Sequence, residues 1–483
     1  MTHLVLLSHH LNATYIQNIH CDTVTIAVTK AQFETHRYHK KRIVYHLAAA
    51  FHFAAEHDIP ILYEPTWADI LSNLPSEDEF IVYEPVEWSM KQDVWDAFMA
   101  DGRHLTMRPD LNFMVDDILM ELGDPPFKLD PLYRRWRHRF NILIENGKPV
   151  GGKYSYDAAN RKRPPKTLDV REPLMFPADA ITTDVIRMVE DDFRNHPGEA
   201  GDFQYPVTRD DALLLLDHFI AYRLERFGTY QDAMMENRPF MVHSLLSAAI
   251  NLGLLFAAEV VRDVEAAYRN GAPLEAVEGF IRQILGWREY IRGVYLRMGK
   301  DYKQKNALGH HRPLPGWFYD ADVDLNCLNT TISETIGNGY NHHIQRLMII
   351  GNLANLIGVR PLEVNNWFNE MYIDSFDWVV TPNVIGMALY ADGGVMSTKP
   401  YISSAAYINR MSNYCKSCKY DPTKRTGANA CPVNALFYHF LDRHRERLAS
   451  NPRMTYMYAN LNKLDENTRD ELVDYARQFI RKQ

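Results

Sequence analysis

The sequence contains few cysteines and no long apolar run, and both absences narrow the class of protein. Only five of its 483 residues are cysteine, which excludes a scaffold held together by disulfides. No apolar run reaches the roughly 18 residues that a membrane-spanning helix needs, so no membrane partner is predicted. The N-terminus has no basic segment before its short apolar stretch, which is typical of a first strand rather than a signal peptide. These features predict a cytoplasmic protein.

The chain also lacks an overall positive charge, yet one of its segments is strongly basic. The formal net charge is −8, which by itself argues against a nucleic-acid partner. Residues 134–166, however, contain ten Lys or Arg and only two acids, a net charge of +8 that leaves −16 for the rest of the chain. Such a polarised surface can attract phosphates even though the mean charge is negative.

The spacing of apolar residues predicts an α/β domain followed by an all-α domain. Short β-branched runs predict buried parallel strands at 4–7, 23–28, 59–64 and 79–85. Residues 39–57 carry an apolar face at helical spacing, formed by Val44, Leu47, Ala48, Phe51 and Ala55. This alternation predicts a doubly wound α/β domain over residues 1–125. The proline-rich, basic residues 126–207 predict a long, partly irregular linker, and wide apolar faces predict a helical domain over 208–483.

Four of the cysteines fall in the last third of the chain with the spacing of a metal centre. Cys415 and Cys418 form a C-x2-C pair, Cys431 follows after twelve residues, and Cys327 precedes the pair by 87 residues. Thiolates select zinc or an iron–sulfur cluster, and the alternative is four free core cysteines. Zinc sites usually combine two close pairs, so the remote cysteine favours a [4Fe–4S] cluster and leaves zinc open.

Two helical stretches combine histidine, arginine and tryptophan. His342 and His343 begin an apolar helix, and Arg346 follows one turn later, a pattern that can bind an anion or move protons near neutral pH. The same pattern is equally typical of ordinary core histidines. Trp287 beside Arg288 can stack on a base or flavin and pair with phosphate, although a solvated helix is the more usual meaning.

Several long stretches of the chain resemble one known family. They are GKPVGGKYSYDAANRK (147–162), FGTYQDAM (227–234), HSLLSAAINLGLL (243–255), NHHIQRLMIIGN (341–352), PNVIGMALYADGG (382–394), TKPYISSAAYINRMSNYCKSC (398–418) and NACPVNALF (429–437). They span most of residues 130–440. On these residues the chain resembles the iron–sulfur bacterial cryptochromes and photolyases, the group that includes the prokaryotic (6-4) photolyases.

The resemblance implies a photolyase/cryptochrome fold and a set of cofactors. An α/β antenna domain, a long linker and an all-helical FAD-binding domain are expected, and the four cysteines are expected to bind [4Fe–4S]. Backbone amides at the start of a helix suit the FAD phosphates. The residues expected at those phosphates are His243, Ser244, Leu245, Leu246 and Ser247. The residues expected around the rest of the flavin are Tyr222, Gln283, Arg346 and Asp374.

The resemblance also implies light-driven repair of (6-4) pyrimidine photoproducts in DNA. A reduced flavin excited by blue light donates one electron to a base flipped out of the strand, and the repair needs a proton donor. His343 is the expected acid, with His342 beside it, because relatives that act on cyclobutane dimers tend to carry Asn there. Tyr401 and Tyr407 are expected to face the lesion.

Other residues are expected to serve the DNA, a metal ion and the path of electrons. DNA-backbone contacts are expected from Arg161, Lys162, Arg163, Lys166 and Arg288. Asp157 and Asp232 match family acids that hold a divalent ion such as Mg²⁺. Electron transfer to the flavin is expected through Trp367 and Tyr319. The partner is UV-damaged DNA, single- or double-stranded, and the family expectation is a monomer.

The sequence departs from the family at several positions. Phe368 and Tyr319 stand where relatives carry Tyr and a distal Trp, which predicts slower photoreduction or a route through Trp317 or Trp378. Val380 replaces an acid near the flavin. Residues 8–11 and 29–34 differ from the family segments that bind a 6,7-dimethyl-8-ribityllumazine antenna, so its retention is left open. The alternatives are a blue-light sensor with the same cofactors and a zinc-stabilised helical binding protein.

Overall fold

The computed structural model describes residues 1–76 and 79–482, and it begins with a five-stranded parallel sheet. The strands run in the order β3-β2-β1-β4-β5. Their bounds are β1 (Thr2–Leu7), β2 (Thr23–Thr29), β3 (Ile61–Glu64), β4 (Glu79–Tyr83) and β5 (Leu105–Arg108). The first four confirm the predicted strands. The sequence analysis missed β5, since its four residues, LTMR, have neither a β-branched run nor enough length to stand out.

Helices cover both faces of this sheet, as a doubly wound domain requires. The helices of this part are α1 (Ala13–Gln17), α2 (Lys40–His57), α3 (Trp67–Ser72) and α4 (Trp88–Ala100). Leu4 and Leu6 of β1 pack in the core that contains α2, whereas Val5 and Leu7 pack in the core that contains α3 and α4. Successive strand residues point to opposite faces, which explains why these strands are apolar throughout.

The first turns of α2 lie at the boundary between the two domains, and this alters its predicted apolar face. Val44, Leu47 and Ala48 are buried as expected, but Phe51 is half-buried and Ala55 is exposed. Arg42 is also buried, and its guanidinium donates to the carbonyl of Ser375 at 3.0–3.1 Å. The N-terminal half of the helix is thus enclosed on all sides, while its C-terminal half reaches the surface.

The predicted linker is more ordered than its prolines suggest. The elements after the sheet and through the linker are α5 (Ile118–Leu122), α6 (Leu129–Arg139), β6 (Ile144–Glu145), β7 (Lys148–Pro149) and α7 (Ala180–Asp192). Helix α6 belongs with the helical domain, because Tyr133 donates to Glu278 at 3.1 Å. Helix α7 belongs with the α/β domain, where Glu190 pairs with Lys40 at 2.5 Å. Residues 161–179 and 193–208 are two longer stretches without helix or strand.

The remaining chain is helical, as predicted. Its α-helices are α8 (Arg209–Tyr222), α9 (Leu224–Tyr230), α10 (Ser247–Asn251), α11 (Ala257–Arg269), α12 (Leu274–Ile281), α13 (Glu289–Met298), α14 (Trp317–Asp320), α15 (Asn326–Asn338), α16 (His343–Gln345), α17 (Asn352–Ile357), α18 (Pro361–Met371), α19 (Asp377–Thr381), α20 (Ala405–Met411), α21 (Pro432–Arg443), α22 (Arg445–Leu448), α23 (Thr455–Asn462) and α24 (Glu466–Arg481). Among the described residues, no helix combines the length and the apolarity that crossing a bilayer demands.

Three π-helical segments interrupt this domain, at Arg282–Arg288, Arg346–Gly351 and Pro382–Ala388. A π-helical turn shifts the side chains that follow it relative to a continuous α-helix, and such turns recur at functional sites. Two of the three segments contain residues that the sequence analysis selected, Gln283 and Arg346. The fold therefore places irregular helix where the flavin site is predicted.

Candidate active site

A bidentate ion pair between Arg346 and Asp374 lies at the centre of the predicted flavin site. The two guanidinium nitrogens lie 3.0 and 3.1 Å from the two carboxylate oxygens. Burial by itself lowers the pKa of Arg346, but the Asp374 charge outweighs it and raises that pKa overall. The hydroxyl of Ser247 donates to the same carboxylate at 2.7 Å. Three segments far apart in sequence thus meet at one carboxylate.

The turn before α10 lies beside this ion pair. His243 and Ser244 lead into Leu245, whose φ of 60° is left-handed, and Leu246 precedes the first helical residue, Ser247. The amide of Leu246 donates to the Ser244 hydroxyl at 3.4 Å. Amides in the first turn of a helix lack intrahelical acceptors. The predicted phosphate-binding turn therefore has the required donors next to Asp374.

The histidines form a stacked group next to Arg346. The rings of His243 and His342 lie 4.5 Å apart at an interplanar angle of 12°. His243 donates through Nε2 to the carbonyl of Gln231 at 3.0 Å. Burial lowers the pKa of His243 to about 3, and among the described residues neither ring nitrogen of His342 has a hydrogen-bond partner. Both rings are therefore neutral, and His342 keeps two free nitrogen atoms in the interior.

His343 is exposed to solvent beside Arg346. The surrounding protein, and then the charge of Arg346, lower the pKa of His343 to about 4. Solvent nevertheless reaches the residue, as it reaches Ser247 inside the same domain. Residues that are enclosed by protein yet accessible line a concave space, the usual shape of a ligand site. Ser247 and Arg346 both bond Asp374, and Arg346 acts on His343, so the accessible space that these four residues border is called the recess below.

Two residues predicted for the flavin site lie apart from this group. Tyr222 is exposed at the end of α8, where the Arg171 guanidinium lies 3.9 Å from its ring centre. Gln283 is half-buried and donates to the carbonyl of Gly279 one turn earlier, at 3.0 Å. Neither side chain has a contact with Arg346 or Asp374 among the interactions of the described residues. Their flavin contacts remain predictions.

A second group forms around Arg161. Its guanidinium pairs with Asp157 and lies 3.8 Å from Asp232, while Arg282 lies 3.3 Å from Asp157. Burial raises the pKa of Asp232 to about 6 against the opposing charge of Arg161. Asp232 follows Gln231, which accepts from His243. The group around Arg161 is therefore joined to the histidines through one loop.

Tyr401 and Tyr407 belong to this second group. Burial raises the pKa of both tyrosines. The nearby charge of Arg161 opposes this rise in both tyrosines, whereas the charge of Asp232 adds to the rise in the pKa of Tyr407. The structure thus places the two tyrosines predicted to face the lesion next to the two acids predicted to hold a divalent ion.

The predicted DNA contacts divide into exposed and buried residues. Arg161, Lys162, Arg163 and Lys166 are all exposed. Arg288 is different, because its side chain is only 9% exposed and lies 3.3 Å from the buried carboxylate of Glu289. It also donates to the carbonyl of Asn112 at 2.9 Å and lies over the ring of Phe113. In this structure Arg288 joins the two domains, and its contact with DNA remains a prediction.

An aromatic chain leads from Trp367 toward the ion pair. Trp367 is fully buried and donates to the carbonyl of Phe318 at 2.9 Å. Its ring centre lies 5.8 Å from that of Tyr372, over which the Arg346 guanidinium lies at 3.9 Å. The sequence analysis missed Tyr372, although its position two residues before Asp374 was a usable signal. Trp367 is therefore connected to the recess by one buried ring.

At the outer end of this row of aromatic rings, Trp317 and Tyr319 have different surroundings. Trp317 stacks on Phe318 at 4.2 Å and 17°, and Phe318 lies 5.0 Å from Trp367. Tyr319 is 42% exposed, and its hydroxyl donates to Glu370 at 2.9 Å. The Trp317 ring, unlike Tyr319, thus belongs to a continuous stack that reaches Trp367.

The four predicted cluster cysteines are neighbours. Burial and then repulsion from Cys431, Cys415 and Cys418 raise the pKa of Cys327. Burial also raises the pKa of Cys415 to about 11 and that of Cys431 to about 12. Within residues 1–76 and 79–482, no three His, Cys, Asp or Glu side chains converge as ligands of one ion. The thiols gather without forming a site for a single metal ion.

Comparisons with known proteins agree with this architecture. Residues 4–205 match the family model described as deoxyribodipyrimidine photo-lyase-related protein. The chain is 41% identical over 482 residues to the (6-4) photolyase of Agrobacterium fabrum (strain C58 / ATCC 33970), covering 95% of this chain and 94% of that protein.

Two solved structures share the fold. A bacterial class III photolyase from Agrobacterium tumefaciens superposes with a TM-score of 0.58 at 14% identity, over 100% of this chain and 98% of that one. The cryptochrome of Synechocystis sp. PCC6803 gives 0.57 at 11% identity, over 98% and 94%. The fold is therefore that of photolyases and cryptochromes. The long relative at 41% identity is more specific: the chain belongs to the bacterial cryptochrome/photolyase family that includes the (6-4) photolyases. Membership implies a flavin cofactor.

Replacing Asp374 with Asn should release the flavin. The change leaves the Arg346 charge unpaired in a buried place, which typically costs about 3–5 kcal/mol, and it weakens the anchor for Ser247. We expect most of the flavin absorbance per folded molecule to be lost. Asp184→Asn is the matched control, because the Arg187–Asp184 pair is largely exposed and should change stability by less than about 1 kcal/mol. Full flavin retention in Asp374→Asn would show that the pair is dispensable for binding.

Proposed function

We propose that the protein is a light-driven DNA photolyase that repairs (6-4) pyrimidine photoproducts. The observation that carries the proposal is the recess in which His343 lies beside the Arg346–Asp374 pair. A relative that matches 95% of this chain is a (6-4) photolyase. A proton donor next to a flavin site is what this repair needs, and a light sensor has no comparable need for it.

The residues of the recess fit FAD. Arg346 and the turn His243–Ser247 would hold it, with Asp374 fixing the orientation of both. The buried, partnerless nitrogens of His342 offer further polar contacts. When bound, a reduced flavin excited by blue light supplies the electron that splits the lesion. The protein orients that group and keeps water from it with the buried rings of Tyr340 and Tyr372.

The damaged base would lie between the two groups of polar residues. Tyr401 and Tyr407 would face it, and Arg161 would contact its flanking phosphate. Asp157 and Asp232 offer carboxylates for a divalent ion such as Mg²⁺, but Arg161 already lies at both of them. An ion would therefore have to displace Arg161, and the released guanidinium would then be free for phosphate. The exposed Lys162, Arg163 and Lys166 would add salt-sensitive contacts to the DNA backbone.

His343 would donate the proton at the lesion. In the protein alone its pKa of about 4 leaves it neutral at pH 7. An anionic cofactor or a DNA phosphate nearby would raise that pKa, because a negative charge favours the imidazolium. Binding of cofactor and DNA would thus increase the fraction of His343 that carries the proton.

The four gathered cysteines would hold a [4Fe–4S] cluster. The proposal rests on the family resemblance and on the mutual influence of the four thiols, since the other three are each close enough to raise the pKa of Cys327. The ligands would be Cys327, Cys415, Cys418 and Cys431. The cluster would hold α15 to the loop after α20, a structural role.

The antenna and the electron path are proposed at defined places. His9 is buried in the SHHL loop, and among the described residues neither of its ring nitrogens has a hydrogen-bond partner. A lumazine antenna would be held beside this ring, which lies 5.8 Å from Phe376.

Electrons would reach the flavin through Trp367, with the stacked Trp317 as its outer neighbour because Phe368 is hard to oxidise.

A repair assay tests the function directly. We expect blue light, a reductant and Mg²⁺ to restore a single-stranded oligonucleotide that carries one defined (6-4) photoproduct. Matched dark samples should stay unrepaired, and an oligonucleotide with a cyclobutane dimer should stay unrepaired in the light. Absence of repair of either lesion, by protein that demonstrably holds reduced FAD, would favour the blue-light sensor.

The pH dependence of repair tests His343 as the acid. Its lowered pKa means that protonation increases as the pH falls, so the repair yield per absorbed photon should rise between pH 8.5 and pH 6.5. At pH 7 the protein alone carries the proton in only about one molecule in a thousand. His343→Gln should remove both the repair and its pH dependence while FAD remains bound. His104→Gln, at an exposed position of the α/β domain, should change neither. Normal repair by His343→Gln would exclude His343 as the donor.

Cys418→Ser tests the structural role of the cluster. We expect lower solubility and a lower melting temperature, since a ligand of the cluster is lost, but normal photoreduction per correctly folded molecule. Cys21→Ser is the control, because Cys21 lies in the α/β domain away from the other four. Soluble, folded Cys418→Ser protein that had lost photoreduction would instead indicate a redox role.

A further inference from the structure

A solvent-open groove of about 400 Å³ lies next to Tyr407, and apart from Arg163 its lining residues have no role assigned above. One wall is formed by α20, with Asn409 and Arg410. The facing wall is the loop between Cys418 and Cys431, with Thr423 and Arg425, and Arg163 of the linker lines the same groove. Three separate parts of the chain therefore each contribute one arginine.

A single buried side chain fixes the two walls to each other. Asn434 accepts the amide proton of Ala405, the first residue of α20, at 3.1 Å. Its side-chain nitrogen donates to the carbonyls of Pro422 and Lys424 at 3.0 and 2.8 Å. Asn434 is only 6% exposed. The groove is thus a built feature with a fixed width rather than a chance gap between loops.

The groove is positively charged without compensation. Arg163, Arg410 and Arg425 are all exposed, and among the described residues no carboxylate pairs with any of them. No acidic residue lines the groove. Arg161, two residues before Arg163, has two carboxylates beside it. Unpaired guanidinium groups in such a groove are suited to phosphate, which each can bind through two parallel hydrogen bonds.

We propose that this groove binds the sugar–phosphate backbone of the DNA strand as it leaves the lesion site. The proposal rests on the proposed function and extends it. Arg410 connects the two places, since its guanidinium lies 5.4 Å from the ring centre of Tyr407 one turn earlier on α20. Phosphates spaced along one strand would contact Arg410, Arg425 and Arg163 without any reading of sequence.

The position of the groove favours a nucleic acid over other anions. An anionic lipid surface binds flat basic faces with apolar side chains that enter the bilayer. These arginines instead line a groove that the ring of Tyr438 also lines. Continuity with Tyr407 also links the groove to the predicted substrate. The loop that carries Arg425 begins at Cys418 and ends at Cys431, so the cluster would also position a wall that binds DNA.

Binding in the dark tests the groove separately from repair. The FAD-loaded protein would be titrated with oligonucleotides of about 5 and about 16 nucleotides that carry a central (6-4) photoproduct, and with an undamaged strand of the longer length. Fluorescence anisotropy at several salt concentrations gives the affinity and its salt slope. The variant Arg410→Gln/Arg425→Gln removes two charges from the groove. Arg187→Gln/Arg262→Gln removes two exposed charges elsewhere as the matched control.

We expect the groove variant to bind both longer strands roughly 10- to 100-fold more weakly, with a salt slope lower by about 1.4. Its affinity for the short strand should change by less than about 3-fold, and the control should match the unmodified protein. Unchanged binding of the longer strands, or an equal loss for short and long strands, would overturn the proposal. So would a loss of binding to phosphatidylserine vesicles with DNA binding intact. If repair is absent but the variant still loses the long undamaged strand, the groove stands and the proposed function fails.

Discussion

The ion pair between Arg346 and Asp374 is the constraint on which the rest of the site depends. Asp374 is 8% exposed and accepts hydrogen bonds from Arg346 in a π-helical segment and from Ser247 and Asn251 at the two ends of α10. Two opposite charges in such a place are tolerated because each satisfies the other with two hydrogen bonds. Once the pair is formed, the positions of His343, Ser247 and Tyr372 follow from their covalent or hydrogen-bonded links to it.

The same pair controls the local proton chemistry. The Arg346 charge lowers the pKa of His343, and burial lowers the pKa of His243 and His342 still further. Three histidines are therefore held neutral within one small region. Of these, His343 is the most exposed, His243 is half-buried and His342 is buried, so a negative charge that binds at the surface of this region meets His343 first. The structure thus gives the proposed proton donor, His343, a more exposed position than the two stacked imidazoles.

The sequence predicted local features well and assembled contacts less completely. Strands β1 to β4, helix α2 and the switch to helices near residue 208 follow from apolar spacing, which depends on neighbouring residues alone. Arg288 shows the limit of that approach. Beside Trp287 it has the pattern of a base- or phosphate-binding residue, but Glu289 and the carbonyl of Asn112 bury it between the domains. Only the tertiary structure shows which partner an arginine has.

Tyr372 and the arginine groove likewise depend on contacts between segments that are distant in the sequence. Tyr372 gains its meaning from lying between Trp367 and Arg346, which are separated from it by five and 26 residues. Arg163, Arg410 and Arg425 come from segments up to 262 residues apart. Arg163 was predicted to contact DNA, but within the sequence Arg410 and Arg425 were two cations among 53. They line one groove because the fold brings their segments together and Asn434 holds two of them in place.

The departures from the family now have a physical context at the outer end of the proposed electron path. Phe368 packs on Trp367 at 5.3 Å, where an oxidisable tyrosine is the family pattern, and Tyr319 donates its hydroxyl proton to Glu370. Oxidation of a tyrosine requires loss of that proton, and a hydrogen-bonded carboxylate can receive it. Burial raises the pKa of Glu370, which makes the carboxylate a better acceptor. Removal of an electron from Tyr319 is therefore tied to proton transfer at the surface, whereas the buried stack of Trp317, Phe318 and Trp367 is not. The two routes differ in their dependence on a proton, and the structure contains the elements of both.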